Sequence, residues 1–479
     1  MASSNIANPN QDTAQNSQEQ QQDVSSANER AALIPNNTVQ AVFETGLIVA
    51  GLLAMLLFLP HGIFGDGAVR FQAISELLEQ GKLSNMQYSI VGPAFSIPFW
   101  LLGKLHKTPD WWIARYNLFV FAAGLLAFYF LLRNRLDGGL IRKFFLILII
   151  ASMFANNLMA YYGEVFTAML VAIGIVMLMT GPSLSGWGTI VLGVINTPAS
   201  IVGLGCVVLK RILDNRRLRY ILALGAAIAL IVLEYTIRRV GLSISAYSPP
   251  ANPVFKTVMP YSGLRGFSYP FFFGLLSILF SFGKGLFFFA PGLLLPIRSL
   301  IRRIQESIKI ELYTTYLLWI SFLVGLVLVY SSWWAWYGGW FWGPRFFLFA
   351  SIPASFALAL RLHYRNTSLA GNILTIAVFS LSLWVGIDGA LFDQQGLGIC
   401  ITSHYAMEFL CHYTPEFSVL WHPFVTGFSL NEHQLLYLAY SLVAFAYLVI
   451  PLLGDVVTQA IQKTTDIGKT HLNFKSWHF

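Results

Sequence analysis

YYGEVFTAMLVAIGIVMLMT (residues 161–180) places a single carboxylate, Glu164, at the head of an otherwise apolar run. Such a run suits a helix across a hydrocarbon core, which takes roughly 20 apolar residues. An ionised side chain inside that core is expensive, so the depth of Glu164 decides how the chain is threaded. Similar runs recur from Val42 to Ile450, and the 479-residue chain is 56% hydrophobic and 11% charged. A polar surface cannot cover that much apolar side chain, and lipid must be the main solvent. In lipid, each crossing satisfies its own backbone hydrogen bonds. The expected fold is all-α: a polytopic membrane helical bundle of about 12 membrane segments.

The net charge of +8 reflects topology rather than nucleic-acid binding, because Lys and Arg cluster between the apolar runs. The positive-inside rule places the clusters at 133–143, 210–219, 298–309 and 361–365, and the C-terminal tail, on the cytoplasmic side. Spans consistent with that are 41–59, 111–132, 144–160, 164–180, 220–239, 285–297, 311–330, 345–360, 369–390 and 435–453. The stretch 187–212 begins and ends on the cytoplasmic side, so it is expected to be a helical hairpin turning at Asn196, Thr197 and Pro198. SIVGPAFSIPFWLLGKL (residues 89–105), broken by Pro93 and Pro98, is expected to lie in the outer interface as a juxtamembrane helix.

Residues 1–40 have the composition of a disordered polar cytoplasmic tail. They lack the basic start and apolar core of a signal peptide, so the first apolar helix is expected to remain as an anchor. The transmembrane domain is expected over 41–453, with outward loops at 61–110, 246–284, 331–344 and 391–433, followed by a basic cytoplasmic tail at 454–479. Cys206 lies in an apolar segment, whereas Cys400 and Cys411 share one outward loop and can pair in an oxidising compartment.

This threading moves Glu164 to the outer rim, where a helix dipole also favours a first-turn carboxylate. Asp66 lies on the same face, between Gly65 and Gly67, which let the backbone turn and leave its carboxylate uncovered. For either acid, helix capping competes evenly with a chemical role. Lys284 sits between Gly283 and Gly285 at the expected start of a span, placed to meet a phosphate oxygen or to snorkel to headgroups. Arg265, in PYSGLRGFSYP, adds a weaker cation on that side. YSSWWAWYGGWFWGPRFFLF (residues 330–349) holds five tryptophans and a Gly-Gly turn before Arg345. An aromatic belt accounts for any one tryptophan, but not for glycines leading into an arginine, and guanidinium grips phosphate as a fork. Walker A, dinucleotide-binding, HExxH and GxSxG signatures are absent from the sequence.

In order and topology, the outward GD (Gly65, Asp66), Glu164, FGKGLFFFAP (residues 282–291) and WYGGWFWGPRFF (residues 336–347) resemble the GT-C superfamily of polytopic membrane glycosyltransferases. The likeness is greatest to bacterial relatives of dolichyl-phosphate-mannose protein mannosyltransferases and of the lipid A aminoarabinose transferase, and it covers about 41–360. It implies a GT-C-like fold in a bacterial inner membrane, with cytoplasmic termini and an outward active site. It further implies inverting transfer of a sugar from a polyprenyl-phosphate carrier to a lipid, glycan or protein acceptor. Asp66 matches the family's first-loop acid, the base on the acceptor. Many members carry a second acid beside it, where this chain has Gly67. That departure weakens the case for a metal site and leaves divalent-metal dependence open; the sequence itself requires no cofactor. Under this reading Arg345 and Lys284 neutralise the departing phosphate, Glu164 orients the acceptor or bonds sugar hydroxyls, and Trp336 and Tyr337 wall the sugar. The alternatives are a lipid or lipid-linked sugar flippase, for which an inverted repeat and midplane charges are the usual signs, and a non-catalytic scaffold.

Overall fold

The computed structural model describes residues 38–240 and 266–475, apart from 85, 182, 306–307, 340, 366–367, 393–397, 399, 401–405 and 428. Among these residues the chain is helical, and one isolated parallel bridge joins Gly62 to Ala160. Six helices are long and apolar enough to cross a membrane: Thr38–Phe58, Leu218–Arg239, Leu312–Ser331, Arg345–His363, Leu369–Leu391 and Glu432–Thr465. Shorter apolar helices at Tyr116–Leu132, Glu164–Thr180, Ser183–Asn196 and Phe271–Phe280 complete the bundle of an integral membrane protein.

Small residues let these helices approach closely. A Cβ on Gly174 would stand 2.8 Å from the Gly186 carbonyl oxygen, so Glu164–Thr180 and Ser183–Asn196 pack backbone to backbone. A Cβ on Gly325 would meet Gly203 Cα at 2.5 Å, which locks Leu312–Ser331 against Ile201–Asn215 in the same way. The expected hairpin is present, with a short 3₁₀ turn at Pro198–Ser200 between its arms.

Four expected boundaries are corrected. Residues 285–297 are no span: Leu286–Phe289 is followed by the 3₁₀ turn Pro291–Leu294. Pro291 and Gly292 break the helix there, and a Cβ on Gly292 would meet the Ala354 carbonyl oxygen at 2.3 Å, so this bare backbone lies against Ser351–His363. Phe271–Phe280, assigned to the outward loop 246–284, is an apolar helix beginning after Pro270. The final helix does not stop near 453 but runs from Glu432 to Lys475. The expected span at 144–160 is divided as well, into Gly138–Ile150 and the short Phe154–Asn157.

At the opposite end of the first helix from Asp66, Glu44 is fully buried and gathers four partners. Arg142 Nε lies at 2.6 Å, Lys143 Nζ at 3.2 Å, the Tyr447 hydroxyl at 2.9 Å and Gln40 Nε2 at 3.1 Å. This network ties Thr38–Phe58 to Gly138–Ile150 and to the last helix. Removing the anion leaves two part-buried cations unpaired, so Glu44→Ala is expected to cost about 3 kcal/mol. Thermal unfolding of the purified protein checks this; an unchanged midpoint would dismiss the network as a structural tie.

Candidate active site

Three distant stretches meet at one arginine. The first is the exit loop of the first helix, which the Gly62–Ala160 bridge and a 2.9 Å hydrogen bond from Gly62 N to Met159 O fasten beside YYGE. Gly65, with φ of 53°, turns the chain into helix Asp66–Gln80 and serves as its N-cap. Asp66 is thus the first helical residue rather than the cap, and its carboxylate reaches away to Arg345, with Nη2 to Oδ2 at 2.5 Å. The second stretch supplies Glu164, the first residue of Glu164–Thr180, whose Oε1 lies 3.8 Å from Arg345 Nε. Its side chain is 15% exposed and that of Asp66 21%, against 8% for Arg345, so both acids keep access to water while the cation is enclosed.

The third stretch, 338–345, is built to present Arg345. Gly338, Gly339 and Gly343 have φ of 78°, 84° and 60°, a left-handed path that other residues resist. Arg345 Nε donates to Gly338 O at 2.7 Å, and the guanidinium lies over the rings of Phe341 (4.3 Å) and Tyr162 (5.2 Å). Its Nη1 is buried without a hydrogen-bond partner. Trp342 Nε1 donates to Asp388 Oδ2 at 2.7 Å, tying the loop to helix Leu369–Leu391.

Lys284 does not stand free for a phosphate. It is 3% exposed, and its ammonium donates to the carbonyls of Gly339 (3.2 Å), Phe341 and Gly343 (2.9 Å). Burial, and after it the nearby Arg345 charge, pull its pKa well below the ordinary lysine value. Three acceptors nevertheless match the three N–H bonds of the charged form, the state this geometry describes. Lys284 therefore organises the loop that carries Arg345.

Trp336 and Tyr337 are enclosed in the structure. They are 1% and 2% exposed and pack with His412, whose ring centroid is 5.6 Å and 4.7 Å away, so neither offers an open face to a sugar. His412 lies in the short helix Glu408–Tyr413, fastened by the Cys400–Cys411 disulfide, and burial lowers its pKa with Lys284 acting in the same direction. Arg265 lies outside the described residues. Among the described residues, no cluster of three or more His, Cys, Asp or Glu side chains could hold a metal ion.

Two further residues belong to the site. Arg70, one turn beyond Asp66, is 7% exposed and packs against Gly163, where a Cβ would stand 2.7 Å from Nη2. Its guanidinium lies 4.9 Å from the Tyr88 ring. Burial, then the charge of Asp66, push the Tyr88 hydroxyl above its ordinary pKa. The i, i+4 spacing of Asp66 and Arg70 was a readable sign of a shared face; nothing in the sequence around Tyr88 marked it.

No protein-family model matches the sequence, and no curated protein matches it. Among solved structures, the chain is similar to ArnT from Cupriavidus metallidurans bound to undecaprenyl phosphate, at 13% identity and a TM-score of 0.47, covering 90% of this chain and 80% of that one.

Proposed function

We propose that this protein is an inverting GT-C-type glycosyltransferase that moves a sugar from a polyprenyl-phosphate carrier to a hydroxyl acceptor on the outer side of the membrane. The observation that carries this reading is the meeting of Asp66 and Glu164 on the buried Arg345. A reaction of this class needs a base for the acceptor and a cation for the leaving phosphate, close together at the edge of the lipid phase. A flippase would instead be expected to carry its charges along a path through the bundle.

In the proposed step, the acceptor oxygen forms a bond to the anomeric carbon while that carbon's bond to the phosphate oxygen breaks. Asp66 takes the acceptor proton, and the polyprenyl phosphate leaves with the bonding electron pair. Arg345 Nη1, the guanidinium N–H still without a partner, is available to a phosphate oxygen. Glu164 keeps the guanidinium near both partners.

Asp66→Asn preserves shape and removes the base, so transfer from a labelled polyprenyl-phosphate sugar in proteoliposomes is expected to fall about 10²-fold. Undiminished transfer by a normally expressed variant would remove Asp66 from the mechanism.

A further inference from the structure

A cavity of about 550 Å³ opens beside helix Asp66–Gln80, lined among others by His61, Ala68, Phe71, Asp110, Trp111 and Arg115. Helical spacing puts Ala68 and Phe71 on the side of that helix away from Asp66 and Arg70, so the cavity is separate from the Arg345 cluster. One wall is the short helix Pro109–Ala114, which carries Asp110 and is followed directly by Arg115. The Arg115 side chain folds back over Trp111, with its guanidinium 4.0 Å from the ring centroid and Nη1 donating to Trp111 O at 3.1 Å.

Two opposite charges thus border one cavity, and among the described residues neither forms an ion pair. Arg115 Nε is buried without a hydrogen-bond partner. His61 adds a third polar group. Its Nε2 lies 3.0 Å from Met55 O, and a carbonyl can only accept, so Nε2 carries the hydrogen. In the neutral ring Nδ1 is then an acceptor, and it is buried with no partner. The surface around the cavity is apolar: Leu57 at the end of Thr38–Phe58, and Leu101 and Leu105 on Ile97–Leu105, are exposed at 64%, 51% and 81%. A Cβ on Gly103 would stand 2.4 Å from Pro109 Cα, so the helix bearing those two leucines lies directly against the cavity wall. Trp111, itself exposed, is the residue type that collects at membrane–water interfaces.

We propose that this cavity binds the headgroup of a membrane phospholipid that joins a phosphate to a primary amine, the chemistry of phosphatidylethanolamine. Arg115 pairs with the phosphate, Asp110 accepts from the ammonium and His61 offers a second acceptor, while the acyl chains lie along the exposed leucines. An unpaired cation and an unpaired anion on one wall complement a zwitterion better than either charge alone. A quaternary amine has no N–H to donate, and a glycerol headgroup has no positive charge, so both forgo the contact with Asp110. Binding of this lipid is independent of the transfer reaction. The lipid braces helix Asp66–Gln80 from the side away from Arg345.

Native mass spectrometry of the detergent-purified full chain, titrated with dioleoyl lipids, measures this binding. Phosphatidylethanolamine is expected to bind about tenfold more tightly than phosphatidylcholine or phosphatidylglycerol, the difference made by one charge-assisted contact. Asp110→Asn should weaken phosphatidylethanolamine about tenfold without weakening phosphatidylglycerol. Arg115→Gln should weaken all three lipids, because each carries the phosphate. Asp110 is exposed, so its variant keeps the fold and the test stands even where Arg115→Gln does not fold. Asp214→Asn, which breaks the Lys210–Asp214 pair, is the control and should leave every affinity in place. Equal affinity of the wild-type protein for the three lipids, or an unchanged phosphatidylethanolamine affinity in Asp110→Asn, overturns the site. Free phosphoethanolamine should not displace the lipid at equal concentration; displacement would overturn the assignment to a lipid.

Discussion

Arg345→Ala is expected to lower transfer about 10³-fold, the loss found when a preorganised donor to developing charge is removed. In this protein the arginine serves both ends of the reaction, because it holds Asp66 at 2.5 Å and also offers Nη1 to the leaving phosphate. Its removal leaves two partly buried carboxylates without the cation they share. Arg345→Lys is expected to recover little, since an ammonium cannot hold Gly338 O, Asp66 and a phosphate oxygen in the fixed directions of a guanidinium. The check is single-turnover transfer for Asp66→Asn, Arg345→Ala and the double variant. Residues acting as one unit give strongly non-additive losses, so the double variant should be scarcely slower than Arg345→Ala. More than a tenth of wild-type activity in Arg345→Ala, or fully additive losses, would count against the shared site.

Much of the bundle was legible because its cause is local. Glu164–Thr180 begins and ends where the apolar run does, and the hairpin turns at Pro198 because proline constrains the residue before it and supplies no N–H. The misassigned segments lie where two local signals compete. Residues 285–297 and 271–280 are both apolar; what separates them is the bare backbone of Gly292 packed on Ala354, a contact 62 residues away in sequence from Gly292 to Ala354. The site divides along the same line. Asp66, Glu164 and Arg345 each open a helical segment next to a glycine or proline, a local signal that the sequence carries. Lys284, Trp336 and Tyr337 were equally prominent by type, but flanking glycines permit either direction and tertiary packing turned them inward. The Ile90–Glu234 bond joins residues 144 apart, which no local pattern encodes.

Lys284→Met is expected to damage stability and turnover together, and that combination distinguishes a loop-organising lysine from a phosphate ligand. Methionine approximates the length of the stem but leaves the carbonyls of Gly339, Phe341 and Gly343 without their donor, in a loop whose left-handed glycines give it little intrinsic preference for its path. The stability loss should be about 4 kcal/mol, the order expected for several buried acceptors left unsatisfied. Arg345 rides on this loop, so transfer should fall about 10²-fold as the guanidinium loses its register with Asp66. Lysine pH dependence supplies a second signature. Because burial and Arg345 lower the folded-state pKa of Lys284, the unfolded chain binds the extra proton throughout the interval between the folded value and the ordinary one, about 10.4. The contribution of this group to stability therefore increases as pH rises through that interval. Activity should move the opposite way, because a neutral amine has two N–H bonds for three carbonyls and the loop slackens. The wild-type protein should thus lose turnover on an alkaline limb below the usual lysine range while its unfolding midpoint does not fall with it. A Lys284→Met protein as stable as the wild type, with only a raised KM for the donor, would return Lys284 to the role of a direct phosphate contact.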